Sequence, residues 1–250
     1  MIGLMAEMQN DLSETWSSKE QLFPGLWVYR DVIKKDLNLS QRLEEELSLS
    51  KGYRWQRATV GGSKKSIDYR DCFDFKIEKT SFPEKDKHQV VFEKIWQDSY
   101  DAQNPALQDY CNMYSIQMNF WEKMNFVKYG PGNYFKEHAD HGFSYVSTVS
   151  LVGYINDDYV GGEIVFPKLG LQIKPKAGDL YIFPSTYLFS HAAMPVSDGI
   201  KYSVVTMTDY NDNSHGDEFD SFVRLKNKSK LNMGGYYESA RDVSTRSSCI

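Results

Sequence analysis

Cysteine is scarce in this sequence. The three present among 250 residues, Cys72, Cys111 and Cys249, are far apart and odd in number. No disulfide framework or zinc knuckle can be built from them, and free thiols in a reducing compartment are the expectation. Long apolar runs are absent as well. No stretch approaches the roughly 20 consecutive apolar residues that a membrane-spanning helix needs. Residues 1–16 are acidic and polar where a signal peptide would have a basic start and an apolar run. A cytoplasmic protein without a membrane partner is therefore expected. Excess positive charge is also missing. The net charge is −5, which argues against a nucleic-acid partner, because binding to phosphates needs clustered Lys and Arg. No internal repeat is found, and no feature of the sequence reports an oligomeric state.

What remains is an ordinary globular composition, 41% hydrophobic and 25% charged, with aromatic residues high at 14%. Broad aromatic side chains suit pleated surfaces. Residues 1–20 read as a leader. Gly25–Tyr29 reads as a short strand after a Pro-Gly turn, and Phe73–Ile77 as a half-buried one. Leu39, Leu43 and Leu47 recur at helical spacing, which predicts a helix over Leu37–Leu49. A second, longer helix is predicted over Val90–Tyr114, with a break at Pro105. From Ser115 onward, short apolar runs alternate with Gly, Pro, Asn and Asp clusters. They are Ser115–Phe120, Asn125–Tyr129, Val146–Ile155, Glu163–Pro167, Gly170–Pro175, Asp179–Phe183, His191–Pro195 and Lys201–Thr208. Runs of this length and spacing predict a β-sandwich or barrel, with a jelly roll as the natural candidate. Beyond Tyr210 the chain turns polar, and 244–250 reads as a disordered tail.

The strongest local signal is His138-Ala139-Asp140. Side chains at i and i+2 of an extended segment share a face, so the imidazole and the carboxylate can reach one metal ion. A third ligand must come from elsewhere. The other histidines are His88, His141, His191 and His215. His191 follows the strand-like Gly178–Phe183, and two histidines with one carboxylate make a facial triad that leaves coordination positions open. His-x-Asp alone is common by chance. Lys201, which opens the alternating run Lys201–Val205, adds weight if it points inward, because a buried ammonium is costly unless an anion meets it. An exposed lysine at a strand start is the plain alternative. His141 falls on the opposite face and is expected to be exposed or to support the site, while His88 and His215 are expected to be solvated. Gly161-Gly162 reads as a tight turn and Glu163 as structural.

Taken together, Tyr129-Gly130-Pro131-Gly132-Asn133-Tyr134-Phe135-Lys136-Glu137-His138-Ala139-Asp140, then Gly161-Gly162-Glu163, Gly178-Asp179, His191 and Lys201, resemble the prolyl 4-hydroxylase-like 2-oxoglutarate oxygenases. The resemblance is firm over about 113–210 and looser back to residue 24. It implies a mainly β, α+β double-stranded β-helix (a cupin-like jelly roll) with flanking N-terminal helices. A single domain would then run over 21–243, with its jelly-roll core at about 113–210. His138, Asp140 and His191 would be the catalytic centre and bind Fe(II). Lys201 would pair with the distal carboxylate of 2-oxoglutarate, Tyr129 would contact the same carboxylate and Ser150 would line its pocket. Core packing is the plain alternative for Tyr129 and Ser150.

The implied reaction hydroxylates a substrate C–H bond with O2 and releases succinate and CO2, with ascorbate as an auxiliary reductant of such enzymes. The implied partner is a peptide or protein bearing a prolyl residue. Arg57, Arg70 and Trp121 are candidate substrate contacts, Phe135, Tyr181 and Phe183 candidate barrel walls, and Gly61–Asp71 a candidate lid. A hydroxylase of a free amino acid or metabolite, a non-catalytic cupin-like metal-binding protein and a zinc hydrolase stay open as alternatives. The last is disfavoured by the lack of a general base beside the motif.

Overall fold

Period-two alternation along the strands separates two kinds of core. In the computed structural model, residues 15–60, 67–78, 86–142 and 147–210 are described. Their strands, in chain order, are β1 (Ser18–Phe23), β2 (Leu26–Arg30), β3 (Gln56–Arg57), β4 (Arg70–Asp71), β5 (Phe73–Ile77), β6 (Phe120–Trp121), β7 (Met124–Tyr129) and β8 (Tyr134–His138). There follow β9 (Val149–Tyr154), β10 (Val160–Gly161), β11 (Ile164–Phe166), β12 (Leu171–Ile173), β13 (Leu180–Pro184), β14 (His191–Ala193), β15 (Val196–Asp198) and β16 (Lys201–Asp209). The two α-helices are α1 (Leu39–Leu49) and α2 (Lys87–Tyr114).

A large sheet runs β1-β2-β13-β9-β16-β7-β5-β3, with β6 on β16. A smaller sheet runs β12-β11-β14-β8-β4, and β10 pairs with β15. All these pairings are antiparallel, as in a double-stranded β-helix. On the outer face of the large sheet, Met124, Phe126, Val149, Leu151, Leu180, Ile182 and Val204 pack with Leu43 and Leu47 of α1 and Ile95, Leu107 and Tyr110 of α2. The alternate residues of the same strands, Val127, Tyr129, Val152, Tyr154, Tyr181 and Phe183, turn inward. Side chains on successive strand residues point to opposite faces, so one sequence serves the helices and the interior at once.

Several expectations change. Ser18–Phe23, partly inside the expected leader, is an edge strand paired with β2. Strands β1 to β5 complete both sheets, so the barrel is not confined to 113–210. Helix α2 runs through Pro105 without a break. The bond lost there would have gone to the carbonyl of Asp101, an exposed residue, where water can replace it. Asp86 caps α2 in a reciprocal box with Gln89. The expected strand Ser115–Phe120 is reduced to β6, because Ser115 closes α2 in the left-handed conformation at φ 52°. Of the proposed lid, 61–66 lie outside the described residues. Ile67 and Tyr69 are tethered to β8, Tyr134 Oη donating to the Ile67 carbonyl (3.0 Å) and Tyr69 Oη to that of Glu137 (2.5 Å). His215, Cys249 and the expected tail also lie outside the described residues. Among the described residues, no helix is long and apolar enough to cross a membrane.

Candidate metal and co-substrate site

The two sheets enclose a cavity of about 440 Å³. His138 ends β8 and His191 begins β14, and the two are directly opposed in the β8–β14 pairing. Asp140 follows two residues after β8. One ligand atom from each of His138, Asp140 and His191 falls within 4.8 Å of the others. Glu137 and Ser190, the residues just before the two histidines, are joined by a hydrogen bond of 2.6 Å, and Lys168 pairs with Glu137 at 2.9 Å. These contacts hold β8 and β14 in register beside the cluster.

The polar atoms are arranged for a cation. His138 Nδ1 faces the Lys136 carbonyl at 2.9 Å, and His191 Nδ1 faces that of Phe189 at 3.1 Å. A proton on each Nδ1 leaves the Nε2 lone pair free, and both Nε2 atoms point towards Asp140. Nε2 of His138 is 3.6 Å from Asp140 Oδ1, and Nε2 of His191 is 3.9 Å from Oδ2. These distances are too long for hydrogen bonds. Asp140 Oδ2 is buried with no hydrogen-bond partner. A buried, unpaired carboxylate oxygen is costly, and a metal ion between the three side chains would satisfy it. Burial, with the neighbouring His191 next, pulls the His138 pKa down to about 3, which keeps the imidazole neutral and available as a ligand. Phe135 stacks on His138 at 3.5 Å and Phe183 meets His191 edge-on at 5.1 Å.

Lys201 lies on the inner face of β16, directly opposite Tyr129 of β7. It is 1% exposed. Its ammonium donates to the Gly162 carbonyl at 2.9 Å and lies 4.4 Å from the Tyr129 ring and 5.8 Å from that of Tyr154. No carboxylate among the described residues pairs with it. Burial, with the Lys174 ammonium next, pulls its pKa down to about 7. Burial also pushes the hydroxyls of Tyr129 and Tyr154 well above the usual phenol range. A carboxylate entering this end of the cavity would meet a cation and two phenols.

The structure therefore brings His138, Asp140, His191, Lys201 and Tyr129 to one cavity, and it does not bring Ser150 to the cavity wall. The Ser150 hydroxyl is hydrogen-bonded to that of Ser185 at 2.7 Å, and Val152 and Tyr154 are the β9 residues that line the cavity. Tyr154 was not singled out from the sequence, although strand alternation puts it on the face of β9 that Ser150 shares. Of the candidate substrate contacts, only Arg70 lines the cavity, its guanidinium 4.6 Å from the Phe135 ring. Arg57 pairs with Asp71, and Trp121 packs against Tyr100 at 4.6 Å. Of the expected walls, Phe135 lines the cavity, while Phe183 and Tyr181 stand behind it. His141 is exposed, with Nδ1 2.7 Å from the Ser147 carbonyl. His88 is not solvated as expected: it is half-buried and pairs with Glu46 of α1.

Residues 124–209 match the 2OG-Fe(II) oxygenase superfamily. An Acanthamoeba polyphaga mimivirus protein, described as a candidate prolyl 4-hydroxylase, is 28% identical over 39% of this chain and 49% of its own length. The Gallus gallus prolyl 4-hydroxylase subunit alpha-1 is 28% identical over 46% of this chain and 26% of its own. The chain thus aligns with about half or less of these relatives. Among solved structures, a Trichoplax adhaerens prolyl hydroxylase in complex with a hypoxia inducible factor peptide fragment superposes with a TM-score of 0.57. It shares 15% identity and covers 74% of this chain and 84% of its own. A Pseudomonas putida prolyl-4-hydroxylase superposes with a TM-score of 0.53 at 18% identity, covering 75% of this chain and 93% of its own. At these identities, the superpositions establish the shared fold.

Proposed function

We propose, from the match of residues 124–209 to the 2OG-Fe(II) oxygenase superfamily, an Fe(II)- and 2-oxoglutarate-dependent dioxygenase that hydroxylates a prolyl residue of a peptide or protein. The observation that carries this reading is one cavity holding both halves of the site. The His138–Asp140–His191 cluster, carried by the smaller sheet and the residues just after β8, and the buried, carboxylate-free Lys201 of the large sheet line the same cavity.

In this reading His138, Asp140 and His191 hold the iron. Lys201 receives the distal carboxylate of 2-oxoglutarate, with Tyr129 and Tyr154 beside it. When bound, Fe(II), 2-oxoglutarate and O2 supply the oxidation, with succinate and CO2 as co-products. The protein supplies position and shelter. The carbonyls of Lys136 and Phe189 hold the two imidazoles with Nε2 inward. Val152, Ile164 and Val205 make the cavity lining between its two ends apolar. Thr59, Arg70, Glu122 and Lys123 also line the cavity and add polar groups to its apolar walls, as a peptide backbone would require. The names of the relatives supply the prolyl assignment.

Two measurements test the reading. Anaerobic addition of Fe(II) and 2-oxoglutarate is expected to give a weak visible absorption band, which His138→Ala and His191→Ala each abolish. A band that survives either change would remove that residue from the ligand set. Incubation with proline-containing peptides, Fe(II), 2-oxoglutarate and O2 is expected to add one oxygen atom, read by mass spectrometry. Turnover confined to free amino acids or metabolites would replace the peptide substrate with a small one.

A further inference from the structure

The turn between β9 and β11 is gripped by two lysines. Lys174, just past β12, donates to the carbonyls of Tyr159 (2.9 Å) and Gly161 (2.5 Å). Lys201, from inside β16, donates to the next carbonyl, that of Gly162, at 2.9 Å. The Tyr159 ring is common to both, 3.6 Å from the Lys174 ammonium and 6.0 Å from that of Lys201. Tyr159 is 5% exposed, yet its hydroxyl has no hydrogen-bond partner. The ring is therefore held by its faces. Gly162, at φ +67°, lets it close in, since a Cβ there would come within 2.9 Å of the ring.

We propose that Lys174 is a positioning residue for Lys201: it holds the Tyr159–Gly162 turn, and with it the carbonyl on which the Lys201 ammonium rests, while its own charge opposes that of Lys201. The inference deepens the co-substrate reading above and rests on it where 2-oxoglutarate is concerned. Lys201 is faced by the rings of Tyr129 from β7, Tyr154 from β9 and Tyr159 from the turn. Its charged or titratable neighbours are Lys174, the Cys72 thiol before β5 and the Glu163 carboxylate, of which Lys174 acts most strongly. Lys174 favours the neutral form of Lys201, whereas Cys72 and Glu163 favour the charged form.

Both roles of Lys174 are removed by Lys174→Met, and they have opposite pH dependence. Near pH 6, Lys201 is charged with or without Lys174, and losing the restraint on the turn weakens 2-oxoglutarate binding. Near pH 8.5, the wild-type Lys201 has largely lost its proton, since its pKa lies at about 7. Removing the opposing charge lets it keep that proton, so the deficit shrinks or reverses. A purely structural defect would weaken binding by one factor at every pH.

The test is calorimetric binding of 2-oxoglutarate to Ni(II)-loaded wild type, Lys174→Met and Lys174→Arg between pH 6 and 8.5. The ratio of the Met variant's Kd to the wild-type Kd should fall by at least about threefold across that range, corresponding to about half a pH unit in Lys201. Lys174→Arg, which keeps the charge and the donors, should follow the wild type. A constant ratio overturns the proposal. Independently of any ligand, the 13Cε NMR signal of Lys201 in metal-free protein, assigned by its loss in Lys201→Met, should titrate at higher pH in Lys174→Met. An unchanged titration also overturns it. Absence of 2-oxoglutarate binding to the wild type would remove the co-substrate reading, and the NMR titration alone would then decide what Lys174 does to Lys201.

Discussion

Two imidazoles with their Nδ1 atoms facing backbone carbonyls leave two Nε2 lone pairs facing one unsatisfied carboxylate oxygen. At this scale the candidate site was legible, because His138, Asp140, His191 and Lys201, which line one cavity, are residue types that a polar cavity needs and a core avoids. Ser150 shows the limit. A serine on the cavity-facing register of β9 can bond to the co-substrate or to another side chain, and here Ser185 takes it. Tyr154, two residues from Val152 on the same face, reads in the sequence as ordinary core. Removing the cation that would meet the distal carboxylate should be costly. Lys201→Ala is expected to raise the Kd of 2-oxoglutarate at least about thirtyfold, or about 2 kcal/mol, measured at fixed metal and pH. Unchanged binding would exclude Lys201 from that role.

Among the elements, periodicity was the reliable signal. Leu39, Leu43 and Leu47 form the buried stripe of α1, as their spacing predicts. Leu43 is 0% exposed, so Leu43→Ala should cost about 2–5 kcal/mol in urea denaturation. It lies on the outer face of the large sheet, so metal and co-substrate affinities of the folded variant should be unchanged. Pro105 misled in the other direction. The helical break expected of an interior proline is avoided because α2 is pinned along its length by Phe92, Ile95, Leu107 and Tyr110. The shortest strands were the least legible. β4, β10 and β15, of two or three residues each, owe their extended form to neighbouring strands and carry no pattern of their own.

At the scale of the whole molecule, the cavity is costly to the protein when no ligand is bound. Lys201 titrates at about 7 in the fold against 10.5 as a free side chain. Between these values the unfolded chain binds the extra proton, so ligand-free stability should rise with pH from about 7 to 10.5 on account of this residue. The slope from one proton is at most about 1.4 kcal/mol per pH unit. Lys201→Met should lose that slope in urea denaturation across the same window. Persistence of the full slope in the variant would assign it to other groups.

The sequence by itself determined the His-x-Asp pair and the later histidine of the candidate site, the helix α1, the alternation of the long strands and the presence of a lysine able to meet an anion. These are local properties, written in residue chemistry and in spacing of two or about four. Only the tertiary structure decided that β1 to β5 complete both sheets, that Tyr154 rather than Ser150 reaches the cavity, and that Lys174 and Lys201 meet on one turn. Each depends on which strand lies beside which. That is set by burying the faces of distant segments together, and no local pattern records it.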